Sequence, residues 1–245
     1  MEEVINLSEA EYNSYLFKRT LGEGQRGRVY PYNKRYVIKL WDETLSSDII
    51  YAYQKNVKNL VEGNYHTLYT PEKLVVVNDE IKGYLMKYFP GINLRDLHDL
   101  TSFKALLSSL KNLEVGLLKF ANTNRCVDDC HDENIMYYEK LNKGIMICTD
   151  CDSWYKSYDK SKESCFKHNI TEVNSTIVNT LFRSGFTDDI VQFIWYNASL
   201  RSRLEAIDLS ISTELSSFII DVKKELENYT NKKISTVGDL KRILK

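Results

Sequence analysis

The apolar residues change their spacing at Pro90-Gly91: upstream they run in short β-branched and aromatic stretches, and downstream they recur every three or four residues. The stretch LFKRTLGEGQRGRVYPYNKRYVIKLW reads as two or three strands, separated by a glycine loop and an Asn33-Lys34 turn. Residues 46–62 place Ile49, Ile50, Tyr53, Val57, Leu60 and Val61 at helical spacing, with serine in front and Gly63 behind. LVVVNDEIKGYLMKYF reads as a hairpin turning at Asn78-Asp79. Beyond Pro90, Leu106, Leu110, Leu113, Leu117 and Phe120 share one face of a long helix. NIMYYEK and GIMICTD follow as short strands joined at Leu141-Asn142-Lys143, and from about residue 171 the period is mostly helical. These patterns predict an α+β chain: a β-rich part over 1–89 and a mainly helical part over 90–245.

Composition narrows the class of molecule. A chain of 245 residues with 43% hydrophobic residues can bury a true core without disulfide or metal staples. With 33 basic against 34 acidic residues it has no overall pull toward nucleic acid or an anionic membrane, and no nucleic-acid or membrane partner is expected. The start MEEVINLSEAEY lacks a signal-peptide pattern, and no run reaches the roughly 18 apolar residues of a membrane span, so a cytoplasmic protein is expected. Five cysteines, an odd number clustered over 126–165, point to reduced thiols. The 17 tyrosines and the Trp195-Tyr196 pair come without a basic stripe and read as packing residues.

Three motifs carry chemistry. Gly22, Gly24 and Gly27 fall within six residues of LGEGQRGRVY, where a bare backbone can approach phosphates closely. The loop runs into a strand, which disfavours the dinucleotide fingerprint, whose glycines open a helix. Lys39 sits in the apolar strand Val37-Ile38-Lys39; facing inward it would need an anion or carboxylate, and facing outward it would need nothing. In VDDCHDENIMYY, Asp129 and Asn134 are five apart, and the next strand ends in Asp150 and Asp152. Carboxylates and a carboxamide at the mouth of a hairpin suit magnesium, which prefers hard oxygen ligands.

In this order the motifs resemble the protein kinase-like superfamily over roughly residues 16–155. GEGQRGRVY looks like the glycine-rich loop GxGxxGxV, VIK like the strand lysine motif, DCHDEN like the DxxxxN of the catalytic loop and TDCD like the metal-binding DFG position. The resemblance implies a bilobal kinase-like fold that uses ATP and magnesium. Gly22, Gly24, Gly27 and Val29 would cover the phosphates, and Lys39 would hold the α- and β-phosphates. Met86, Lys87 and Tyr88 would meet the adenine, Asp129 would orient the attacking hydroxyl, and Asn134, Asp150 and Asp152 would hold metal. Glu62, at the end of the first predicted helix, is the candidate partner of Lys39.

The chain also departs from the pattern. Val127-Asp128-Asp129 stands where protein kinases have HRD, so the arginine that pairs with a phosphorylated activation loop is missing. His131 is similar to the histidine of DLHxxN in aminoglycoside phosphotransferase-like kinases; Cys151 and Asp152 replace the Phe and Gly of DFG, and no APE-like motif follows. The expected activity is phosphoryl transfer from ATP to a hydroxyl, with protein serine/threonine as the first choice of acceptor. The alternatives are a small-molecule kinase of the aminoglycoside or choline type and a pseudokinase binding module. A zinc site built from Cys126, Cys130, His131, Cys148 and Cys151 competes with small buried cysteines filling core positions. His66, His98 and His168 show no ligand spacing.

Overall fold

The computed structural model describes residues 4–24, 26–61, 63, 65–181 and 214–243; Glu62 and the Trp195-Tyr196 pair lie outside them. The chain is α+β and forms two compact units. The first takes in residues up to Tyr65, Tyr69–Pro90 and Asp150–Tyr155; the second takes in His66–Leu68, Gly91–Thr149 and the chain from Lys156 onward. Thus the segment carrying Asp150 and Asp152 belongs to the first unit, although the 1–89 part read from the sequence ends long before it.

In the first unit, β1 (Val4–Asn6), α1 (Glu9–Tyr15), β2 (Gly22–Gly24), β3 (Gly27–Pro31), β4 (Tyr36–Trp41), α2 (Ser47–Lys58), β5 (Lys73–Val77) and β6 (Glu80–Lys87) follow in chain order. The strands make one mixed sheet in the order β1-β5-β6-β4-β3-β2. Its hairpins are set by local chemistry. Asn33 Oδ1 accepts from the N–H groups of Arg35 and Tyr36 at 2.8 and 3.0 Å, closing the turn between β3 and β4. Asn78 and Asp79 both adopt left-handed backbone (φ 48° and 64°), which a two-residue hairpin turn requires.

Two elements ahead of the glycine loop were not anticipated. β1 pairs in parallel with β5, Val4 opposite Leu74, and α1 opens with a capping box in which Ser8 and Glu11 satisfy each other's backbone. α1 lays Tyr12 and Tyr15 on Tyr30, Ile38, Leu40, Val75, Val77 and Leu85. That core uses the even-numbered residues of β4. Since successive strand residues alternate faces, Val37, Lys39 and Trp41 must point to the opposite side of the sheet. There Trp41 packs near Tyr53 of α2, ring centroids 6.1 Å apart, and Gln54 donates to the Ile81 carbonyl. β4 is therefore covered on both faces, which is why its sequence shows no alternation.

The second unit contains β7 (Ile92–Asn93), a 3-10 turn at Leu94–Asp96, α3 (Phe103–Ala121), β8 (Arg125–Cys126), β9 (Ile135–Lys140), β10 (Lys143–Cys148), α4 (Lys162–Asn179), α5 (Leu215–Thr230) and α6 (Val237–Ile243). β7, β9 and β10 form an antiparallel sheet, with Leu141 and Asn142 in left-handed conformation at the β9–β10 turn. Leu106, Leu110, Leu113, Leu117 and Phe120 of α3 are fully enclosed, the stripe expected from the sequence, and Phe103 extends it by one turn. α4 begins nine residues earlier than the helical period suggested, at a Ser161 cap whose hydroxyl accepts from Ser164 N. Among the described residues no helix is long and apolar enough to cross a membrane.

The short α6 is held at its start by charge. Asp239 accepts from the N–H groups of Ser235 and Thr236, both at 2.9 Å, and pairs with Arg242. These contacts, the Ser235 amide foremost, lower its carboxyl to about 2. Because the folded value lies below the unfolded one of about 4, this stabilisation is complete above pH 4 and is lost as pH falls toward 2. Wild type is expected to exceed Asp239→Asn in stability by about 1 kcal/mol at neutral pH, since the carboxylate is partly exposed and its Arg242 partner largely so. Thermal melts from pH 6 to pH 2 should show that gap closing.

Candidate functional site

The glycine motif forms the hairpin of β2 and β3, with Gly24 opposite Gly27 and Gly22 opposite Val29. Gly27 has a structural reason to be glycine: a Cβ there would run into the Leu40 carbonyl of β4. Gly22 and Gly24 have none, for a Cβ at either would meet nothing within 4 Å. Both are exposed.

Lys39 is the centre of the first unit's chemistry. Val29 on β3 and Tyr84 on β6 are its cross-strand partners, so the three side chains share one face. The residue is only 5% exposed, and its ammonium meets two carboxylates: it donates to Asp150 and pairs with Asp152 Oδ2 at 2.7 Å. Burial alone would lower the pKa of Lys39, but Asp152 and then Asp150 more than offset it, and the net shift is upward. The lysine is held as a cation.

The two aspartates differ. Asp150 adopts left-handed backbone (φ 63°) at the start of a 3-10 turn over Cys151–Ser153, and its side chain is 24% exposed. Asp152 is wholly enclosed, and the charge that meets its carboxylate is the Lys39 ammonium. Desolvation raises its pKa, Lys39 opposes that, and Asp150 adds to it. Burial is the larger cause of the upward shift, and one cation shared between two anions leaves an excess negative charge that adds to it. The Tyr84 hydroxyl is also buried, beside Asp152 and Cys151, and its pKa lies well above the usual value through burial and the nearby Asp152.

The end of β6 places Met86 inside, and Tyr88, just past the strand, lies outside. Lys87 pairs with Glu72 at 2.9 Å, and Tyr88 N–H donates to the Arg35 carbonyl at 2.8 Å, so that amide is already committed within the unit.

The second unit brings Asp129, His131 and Asn134 together. Asp129 has left-handed backbone (φ 53°), and Asn134, 8% exposed, donates from Nδ2 to the Asp129 carbonyl at 3.0 Å. The same amide nitrogen lies 2.9 Å from His131 Nε2. With both amide hydrogens directed at these acceptors, the Asn134 side-chain oxygen is the lone-pair donor left over. Asn134 O accepts from Thr149 N at 2.8 Å, and Asp150 is the next residue in the chain.

Residues of α4 that the sequence reading passed over hold this loop. Asn169 Oδ1 accepts from Val127 N at 2.8 Å while its Nδ2 donates to the Arg125 carbonyl, His168 Nε2 sits 3.1 Å from the Val127 carbonyl, and Thr176 donates to the Cys130 carbonyl. No local pattern marks them, because each acts on a loop more than forty residues away. Arg95 spans Asp132 and Glu133 at 2.8 and 2.6 Å.

The cysteines are all free thiols and do not gather into one site. Cys148 neighbours Cys130, Cys165 neighbours Cys126, and Cys151 lies by Tyr84 in the other unit. Among the described residues no three His, Cys, Asp or Glu side chains converge as metal ligands, which removes the cysteine-based zinc set as an assembled site. In the first unit the partly exposed Asp150 carboxylate lies beside excess negative charge, donor chemistry that suits magnesium; in the second, taken by itself, Asn134 keeps a spare carboxamide oxygen. No protein-family model matches the sequence, and no curated protein matches it significantly.

Proposed function

We propose that this chain is an ATP- and magnesium-dependent phosphotransferase of the protein kinase-like type, with a β-rich N-terminal lobe and a mainly helical C-terminal lobe, working in the cytoplasm on a hydroxyl acceptor. The observation that carries the reading is the internal Lys39 clasped by Asp150 and Asp152, beneath a hairpin whose Gly22 and Gly24 the fold itself does not require. A buried ammonium on the same sheet as an unencumbered glycine hairpin is an anion-receiving arrangement. Asp150 and Asn134 would hold magnesium, which would neutralise phosphate charge. In this reading Lys39 binds the α- and β-phosphates, and Gly22 and Gly24 let the hairpin backbone close over them. The Asp129 carboxylate accepts a hydrogen bond from the acceptor hydroxyl and orients it, while Asn134, through the Asp129 carbonyl, fixes the loop.

Protein serine/threonine is our first choice of acceptor, because the GxGxxGxV loop is complete. A small-molecule kinase is the second reading, supported by the contact between His131 and Asn134 at 2.9 Å, which ties that histidine into the catalytic loop. A pseudokinase module, the third, is disfavoured because a scaffold has no chemical need for Lys39, Asp129, Asn134 and Asp150 together. Purified protein incubated with γ-labelled ATP and magnesium, against proteins and small hydroxylated compounds, is expected to transfer label to one of these classes. Absence of both label transfer and magnesium-dependent nucleotide binding would overturn the assignment.

A further inference from the structure

We propose that Asp152 is the standing counter-ion of Lys39, a positioning residue that does the work a helix carboxylate would otherwise do, and that Asn56 anchors it; this rests on the site assigned above. Among the described residues, the carboxylates that meet the Lys39 ammonium are Asp150 and Asp152. They cannot have the same role. Asp150 is partly exposed and can turn toward an arriving ligand, whereas Asp152 is enclosed and stays against the ammonium. When Asp150 is engaged elsewhere, Asp152 alone keeps the lysine in place.

The helix that packs on this face is composed accordingly. α2 contains a single acidic residue, Asp48, in its first turn, far from the last-turn position that meets the site. That position is Asn56, and its side-chain amide donates to the Asp152 backbone carbonyl at 2.9 Å. The helix thus contributes a hydrogen bond that fixes the Cys151–Ser153 turn, and the turn contributes the carboxylate. Lys39 is consequently oriented by the same short segment that carries Asp150. A displacement of α2 reaches the turn through the bond from Asn56.

The test reads Lys39 directly and needs no nucleotide. Acylation of the full-length protein by an N-hydroxysuccinimide ester, followed by peptide mass spectrometry, gives the rate at Lys39 relative to the exposed Lys34. Asp152→Asn is expected to raise the Lys39 rate by about tenfold or more as the tether loosens. Asn56→Ala is expected to raise it by a smaller factor, and Glu62→Gln to leave it within about twofold of wild type. Circular dichroism establishes that each variant is folded. An unchanged rate in Asp152→Asn, or a rise in Glu62→Gln equal to that expected for Asp152→Asn, overturns the proposal. Should Asp152→Asn not fold, Asn56→Ala and Glu62→Gln decide it alone: an unchanged rate in the first or a rise in the second overturns it. If wild type transfers phosphate, Asp152→Asn should lower kcat more than it raises KM for ATP. A chain with no turnover and no nucleotide binding fails the functional assignment while leaving the acylation result standing.

Discussion

Lys39→Met is expected to cost about 3–5 kcal/mol of stability, the usual penalty for removing one partner of a buried ion pair. The size follows from what remains. Asp152 has no exposed surface, so without the ammonium its charge is buried with little beyond the neighbouring Tyr84 hydroxyl to offset it, and Asp150 beside it worsens the repulsion. Methionine fills a similar volume on β4 and pairs acceptably between Val29 and Tyr84, which keeps packing losses small beside the electrostatic one. Urea denaturation of both proteins at pH 7 measures the difference. A second measurement isolates its cause. In the variant the Asp152 carboxyl has a folded-state pKa above its unfolded value of about 4, so the deficit is fully present above the folded pKa and shrinks as pH falls. Adding Asp152→Asn should restore more than half of the loss, a coupling that a purely steric effect of methionine would not give. A loss below about 1 kcal/mol would mean that the pair behaves as a solvated surface bridge.

What could be read from the string was what local chemistry decides. The Asn78-Asp79 and Leu141-Asn142 turns, the stripe on α3 and the helix over 47–58 depend on residues within a few positions of one another, and each stands close to its expected place. β1 and α1 escaped notice for two different reasons. The parallel pairing of Val4 with Leu74 joins positions seventy apart and leaves no local trace, whereas the capping box Ser8-Glu11 was present in the sequence and marked the helix start. β4 shows how a buried strand misleads: Val37, Ile38, Leu40 and Trp41 are all inside, so alternation could not say which way Lys39 points. Only the side chains packed on either face decide that. The lysine's carboxylates were the least legible feature, because Asp150 and Asp152 lie more than a hundred residues along the chain and no local pattern ties them to Lys39.

Asp150→Asn is expected to remove phosphoryl transfer, by about a thousandfold or more, while leaving the fold in place. The substitution suits this position in three ways. Asparagine has the same shape, and it tolerates the left-handed backbone that Asp150 adopts at φ 63°, where alanine would add about 1 kcal/mol of strain. Lys39 keeps Asp152 at 2.7 Å, so the buried ammonium is still paired. The excess negative charge of the site falls from one to zero, which relieves Asp152. Stability should therefore change by no more than about 1 kcal/mol, read by thermal melting at neutral pH. What disappears is the exposed anionic oxygen beside the lysine, the one group there with both charge and access to bind a cation. Magnesium-dependent binding of ATP should weaken with turnover. Equal phosphate turnover by wild type and Asp150→Asn, with both proteins folded, would remove the enzymatic reading and leave a nucleotide-independent role for the Lys39 cluster.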